Sequence, residues 1–214
     1  MRMQTPSDPH GDQPVLRHGP RPADARLTVI LVHGRGDSAA GILSLTQEFE
    51  ADDVAWIAPQ AAGHTWYPYS FLSFIERNEP FISSALGLLR RLLEGLEDDR
   101  VTAERVVLMG FSQGACLTSE FAARHARRYA GLAILSGGLI GPPATPRDYA
   151  GSFDGTPVLI GCSDVDPHIP LQRVQETSDV YRRMHARVDE RIYPNLPHTI
   201  NSDEIAAIAE MLKR

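Results

Sequence analysis

Five short stretches of this chain, residues 27–32, 54–58, 105–109, 132–135 and 157–160, are largely apolar and rich in β-favouring side chains. A strand with one wet face alternates apolar and polar residues, so stretches that do not alternate belong to strands covered on both faces. A sixth stretch, residues 187–193, does alternate, as a strand at the edge of a sheet would. Between them, helical periodicity runs near 38–50, 80–98, 113–128, 171–186 and 202–213. Strand and helix alternate throughout, which predicts the α/β class: a mainly parallel central sheet with helices on both faces. The 214 residues, 43% of them hydrophobic, suit one domain, expected over 26–214. Residues 1–25, rich in Pro, Gly and mixed charge without apolar periodicity, read as a disordered tail.

In a sheet of this kind the ligand site lies beyond the carboxyl ends of the strands, where loops converge and helix N-termini point inward. The reactive residues are therefore sought just after strands. Ser112 follows the 105–109 stretch and precedes a helix, inside Gly110-Phe111-Ser112-Gln113-Gly114. That is a G-x-S-x-G turn, tight enough to need small residues two positions either side of the serine. A serine hydroxyl is a weak nucleophile until a histidine takes its proton and a carboxylate orients that histidine.

Both partners are expected downstream, acid first. After residues 157–160 the chain reads Gly161-Cys162-Ser163-Asp164-Val165-Asp166-Pro167-His168, offering two aspartates. Asp166 is preferred, because Pro167 fixes the turn after it and sets it nearer the next helix; Asp164 is the alternative, and either could simply cap a turn. Of eight histidines only His198 follows the last strand, in a loop whose exit Asn201 and Glu204 are placed to cap. His168 lies too close to the acid to reach Ser112, and His33 suits a loop-shaping role. For the oxyanion, the elbow offers the backbone N–H of Gln113, and the glycines of His33-Gly34-Arg35-Gly36-Asp37 allow a second donor, the N–H of Arg35.

Taken together, the segments 33–37, 110–115, 164–170 and the His198 loop resemble the phospholipase/carboxylesterase family of α/β-hydrolases, which includes small bacterial carboxylesterases and acyl-protein thioesterases. The similarity spans residues 27–213. It implies an α/β-hydrolase fold, a triad of Ser112, Asp166 and His198, an oxyanion hole at Arg35 and Gln113, and a small-molecule ester substrate. It also leaves room for a homodimer. An acyl thioesterase or lysophospholipase would use the same triad, and a ligand-binding hydrolase-fold protein without turnover is the alternative from another class. The segment Thr65-Trp66-Tyr67-Pro68 is closer to the bacterial esterase branch, which borders on the dienelactone hydrolases, where cysteine stands in the place of Ser112.

For the substrate, Trp66, Tyr67, Tyr69 and Phe71 fall in one loop on the side of the site, and Trp66, Tyr67 and Phe71 are candidates to line it; the alternative, compatible with the first, is that Trp66 and Phe71 anchor this long loop to the core. Arg35 is a candidate to receive a substrate carboxylate; it could equally be solvated or paired with Asp37. Only about 20 residues separate the strands at 132–135 and 157–160, too few for a large cap domain over the cleft. The net charge of −6 argues against nucleic acid or anionic lipid as partners. No zinc spacing or dinucleotide fingerprint appears, and the triad reaction needs no cofactor. No apolar run reaches the roughly 18 residues of a membrane span and the first 26 residues lack a signal-peptide core. Cys116 and Cys162 read as buried free thiols, so a cytoplasmic protein is expected.

Overall fold

The computed structural model describes residues 8–213. Seven strands form one sheet in the order β1-β3-β2-β4-β5-β6-β7. The strands are β1 (Val15–His18), β2 (Leu27–Val32), β3 (Val54–Pro59), β4 (Val106–Phe111), β5 (Gly131–Leu135), β6 (Pro157–Ser163) and β7 (Arg187–Tyr193). All neighbouring pairs are parallel except β1 with β3. Five helices intervene: α1 (Ala39–Leu43), α2 (Phe81–Asp98), α3 (Gln113–Arg124), α4 (Leu171–Arg183) and α5 (Ser202–Leu212). This is an α/β-hydrolase fold without a cap domain.

The non-alternating strands are buried on both faces because each is covered twice. Ile30, Val32, Ile57, Leu108, Ile134 and Ile160 pack toward α2, α3 and α4. Their neighbours Val29, Leu31, Trp56, Met109, Ala133 and Leu159 pack toward α1 and α5 on the opposite face. β7 keeps its alternation as an edge strand, with Arg187 and Asp189 exposed. The helical pattern at 38–50 is realised as the short α1 followed by a 3-10 segment, Ser44–Glu48. No helix among the described residues is long and apolar enough to cross a membrane.

Chain order reverses direction across the sheet at β2, with β3 on one side and β4 on the other. A crevice opens beyond the carboxyl ends of strands at such a switch point. The loop after β2 and the turn after β4 both lead into it, so the fold brings the Arg35 and Ser112 segments together.

The expected tail over 1–25 is corrected for residues 8–25; residues 1–7 lie outside the described part. β1 pairs antiparallel with β3, Val15 opposite Pro59 and His18 opposite Trp56. Upstream, His10 is fully buried and its backbone N–H donates to Ser84 Oγ at 2.9 Å, while Asp8 pairs with Arg91 at 3.1 Å. The sequence hides this because a four-residue edge strand flanked by prolines, with three of its four side chains exposed, carries no hydrophobic period. Its order comes from backbone pairing to β3.

Candidate active site

Ser112 sits between the end of β4 and the first turn of α3 with φ +54° and ψ −121°, a conformation rarely adopted by a residue with a side chain. Two bonds hold it there: its N–H donates to Leu135 O at 2.9 Å and its carbonyl accepts from Cys116 N–H at 3.0 Å. The flanking glycines are sterically required. A Cβ on Gly110 would collide with the Gly114 carbonyl, and one on Gly114 with the carbonyls of Val32 and His33.

From this turn a hydrogen-bonded series runs across three loops. Ser112 Oγ lies 2.8 Å from His198 Nε2, and His198 Nδ1 lies 2.6 Å from Asp166 Oδ2. The Asp166 side chain is 0% exposed and that of His198 17%, so the carboxylate is dry while the imidazole reaches the cleft. Burial alone would raise the Asp166 carboxyl, but the hydrogen bond from His198 and backbone N–H groups of His168 (2.8 Å) and Ile169 (3.0 Å) outweigh it and hold it below the ordinary carboxylate range. Asp166 is therefore charged and His198 Nδ1 carries the proton toward it, leaving Nε2 as the acceptor for the Ser112 hydroxyl. Asp164 does something else: exposed, it accepts the Asn195 N–H at 2.8 Å and ties the β6 loop to the His198 loop. Beyond His198, Asn201 and Glu204 form a reciprocal capping box on α5, which sets where the loop ends. Phe111 packs on the His198 ring at 5.0 Å between centroids.

Gly34 lies against Ser112, close enough that a Cβ there would touch the serine Cβ at 3.4 Å. The following N–H, of Arg35, and the N–H of Gln113 at the start of α3 have no protein acceptor among the described residues. Together they could serve an oxyanion developing beside Ser112. The Gln113 side chain has a separate task, missed from sequence. Its Oε1 accepts from Trp66 N–H (2.9 Å) and Thr65 Oγ (3.2 Å), and its Nε2 donates to Tyr67 O (2.8 Å), which clamps the aromatic loop to the elbow.

Two substrate candidates are corrected. Trp66 is fully buried and lies outside the cleft lining; its indole N–H donates to His33 O at 2.8 Å, so it anchors the loop. The Arg35 guanidinium donates to the carbonyls of Tyr67 (2.9 Å), Pro68 (3.0 Å) and Tyr69 (3.0 Å), and so staples that loop instead of waiting for a carboxylate or pairing with Asp37. A loop turning back on itself leaves carbonyls without strand partners, and the fork of a guanidinium satisfies several at once. Tyr67 and Phe71 do line a cleft of about 510 Å³ that also contains Ser112, His198, Cys116, His168 and Ile169. Cys116, expected to be a buried free thiol, is buried and also forms part of that lining, and burial pushes its thiol up to about 12. Cys162 is buried too, with Sγ 3.8 Å from Asp166 Oδ2.

Two buried histidines frame the anchored Trp66. His33 accepts the Ala61 N–H at Nε2 (3.1 Å) and donates from Nδ1 to Gly34 O (2.7 Å). His10 accepts the Ala62 N–H at Nδ1 (3.0 Å) and donates from Nε2 to Trp66 O (3.0 Å). Each ring is thus used as a neutral imidazole, and burial lowers both pKa values below the ordinary histidine value. Their contribution to stability is complete above the unfolded value of about 6.5 and is lost as pH falls through the lower folded values. His10→Ala should cost about 1–3 kcal/mol at pH 7 by orphaning Ala62 N–H and Trp66 O, with the gap to wild type narrowing toward pH 5. Thermal melts of both proteins across that range test this; a gap independent of pH would count against a neutral His10.

Comparison with known proteins places the chain in one family. The family model described as Phospholipase/Carboxylesterase matches residues 19–214. A crystal structure of a phospholipase/carboxylesterase from Dyadobacter fermentans is 39% identical, with a TM-score of 0.91 over 99% of both chains. Acyl-protein thioesterase 1 of Saccharomyces cerevisiae is 24% identical over 93% of this chain and 97% of its own. The Bacillus cereus carboxylesterase, 14% identical, shares the fold with a TM-score of 0.76 over 95% of this chain and 94% of that one.

Proposed function

Since the chain belongs to the phospholipase/carboxylesterase family of serine hydrolases, we propose that it hydrolyses small or medium carboxylic esters through an acyl-enzyme on Ser112. The observation that carries this reading is the unbroken series from Ser112 Oγ to His198 at 2.8 Å and on to Asp166 at 2.6 Å. His198 Nε2 takes the hydroxyl proton as Oγ attacks the ester carbonyl, and Asp166 stabilises the imidazolium that results. The N–H groups of Arg35 and Gln113 receive the oxyanion. His198 then returns the proton to the leaving alcohol. Water, deprotonated by the same histidine, attacks the acyl carbonyl and frees Ser112 and the acid. Tyr67 and Phe71 form the apolar wall beside the reacting carbonyl. Every residue in this scheme comes from one chain, and the functional unit is a single domain that includes the segment from His10, because that segment holds the aromatic loop.

The same residues would act on a thioester, whose sulfur leaving group needs the proton less. The curated relatives named acyl-protein thioesterase make this the second reading. A panel of p-nitrophenyl esters of increasing acyl length, with matched thioesters, separates the two, and a fluorophosphonate probe followed by peptide mass mapping identifies the nucleophile. Turnover that favours oxygen esters, with one adduct on the peptide containing Ser112, is expected. Folded protein that turns over nothing and takes up no probe would instead point to a ligand-binding protein without catalysis.

A further inference from the structure

A leaving alcohol must emerge beside His198, because that ring protonates it. The side chains against His198 on the cleft side therefore line its exit, whereas the acyl group lies past Ser112 toward the wall of Tyr67 and Phe71. Two rings pack on His198: Phe111, and His168, which forms a T-shaped pair with it at 4.9 Å between centroids with planes at 72°. His168 lines the cleft and is exposed.

Three other polar side chains of the cleft are committed to the protein. Gln113 clamps the aromatic loop, the Arg35 guanidinium holds three carbonyls, and Ser70 Oγ accepts the Leu72 N–H at 3.2 Å. Asp37 belongs to the Gly34–Arg35 loop and, as a carboxylate, is no donor to an acceptor on the substrate. The ring nitrogens of His168 have no hydrogen-bond partner among the described residues, although its backbone N–H is bound to Asp166 Oδ1 at 2.8 Å. The turn that positions the acid thus also presents a second imidazole, between Pro167 and Pro170, at a fixed place beside the first.

We infer that His168 is a specificity-determining residue for the leaving group, donating a hydrogen bond to an oxygen carried by the alcohol portion of the substrate. The preferred substrates are then esters of polyols or other hydroxylated alcohols instead of simple alkyl esters. This rests on the esterase reading above.

The test compares ethyl butanoate with 2-hydroxyethyl butanoate, which share an acyl group and differ by one hydroxyl. Wild type should favour the hydroxylated ester in kcat/KM by about 3–10-fold, the range of one hydrogen bond. His168→Phe keeps the ring against His198 and should erase that preference, while His168→Gln, which retains a donor, should restore part of it. Absence of a preference in wild type overturns the inference, as does its survival in His168→Phe. An equal loss on both esters with the preference intact also overturns it, and would show His168 acting through His198. If folded wild type hydrolyses neither ester, nor any member of the ester and thioester panel, it is the hydrolase reading itself that has failed.

Discussion

Ser112→Ala should abolish ester turnover, lowering kcat by about 10⁴–10⁶-fold while leaving the fold intact. The oxygen removed is the one 2.8 Å from His198 Nε2, and no other nucleophile in the cleft can replace it. Cys116 is one helical turn away, but its thiol is buried and pushed up to about 12, so it supplies almost no thiolate near neutral pH. The fold should tolerate the change because the turn is held by backbone bonds, Ser112 N–H to Leu135 O and Cys116 N–H to Ser112 O, which alanine keeps. The positive φ remains equally unfavourable for alanine, so the melting temperature should move little. Rates on p-nitrophenyl butanoate, beside a melting curve, decide it. Residual activity within tenfold of wild type would remove Ser112 from the proposed mechanism.

Asp166→Asn should cost about 10³–10⁴-fold in kcat, and Asp164→Asn less than about threefold. The asymmetry follows from what each carboxylate accepts. Asp166 Oδ1 takes two backbone N–H groups, from His168 and Ile169, and Oδ2 takes the His198 Nδ1–H. An asparagine must keep its carbonyl toward the two fixed backbone donors, since an NH₂ there would face them donor to donor. Its NH₂ then points at His198 Nδ1 and selects the tautomer with the proton on Nε2, which cannot accept the serine proton. Asp164 accepts one N–H, from Asn195, and an asparagine carbonyl accepts it equally well. Near-equal effects of the two substitutions would contradict the assignment of the acid. Fluorophosphonate labelling rates, which report activation of Ser112 directly, should fall in parallel with kcat for Asp166→Asn.

The residues proposed to react were legible in the sequence because each is written in local chemistry. Gly110 and Gly114 are required by backbone contacts within one turn and with the neighbouring strand, and no other residue fits there. Asp166 was separable from Asp164 by the proline that follows it, and Asn201 with Glu204 announced where the His198 loop stops. The residues that hold the aromatic loop were legible only in part. Trp66, set in an aromatic run, reads either as a substrate wall or as a loop anchor, and its full burial with the indole N–H on His33 O decides for the anchor. Arg35 reads as a carboxylate receptor, a solvated cation or a partner of Asp37, because nothing local says that three carbonyls from residues 67–69 will meet it. Asn78, buried with its side chain bridging Tyr69 N–H and Ser70 O, left no signal at all.

The layered α/β architecture and the turns that carry Ser112, Asp166 and His198 follow from local patterns in the chain, because hydrophobic period, glycine sterics and proline-fixed turns act within a few residues of their cause. The N-terminal segment and the cleft wall depend on contacts between distant parts of the chain. β1 is a strand because the edge of β3 is open to it, and His10 is a loop anchor because residues 61–66 arrive beside it with an N–H and a carbonyl to satisfy. Hydrogen bonds between groups 32 to 74 residues apart leave no period and no motif in the chain, since their partners meet only once the sheet has formed.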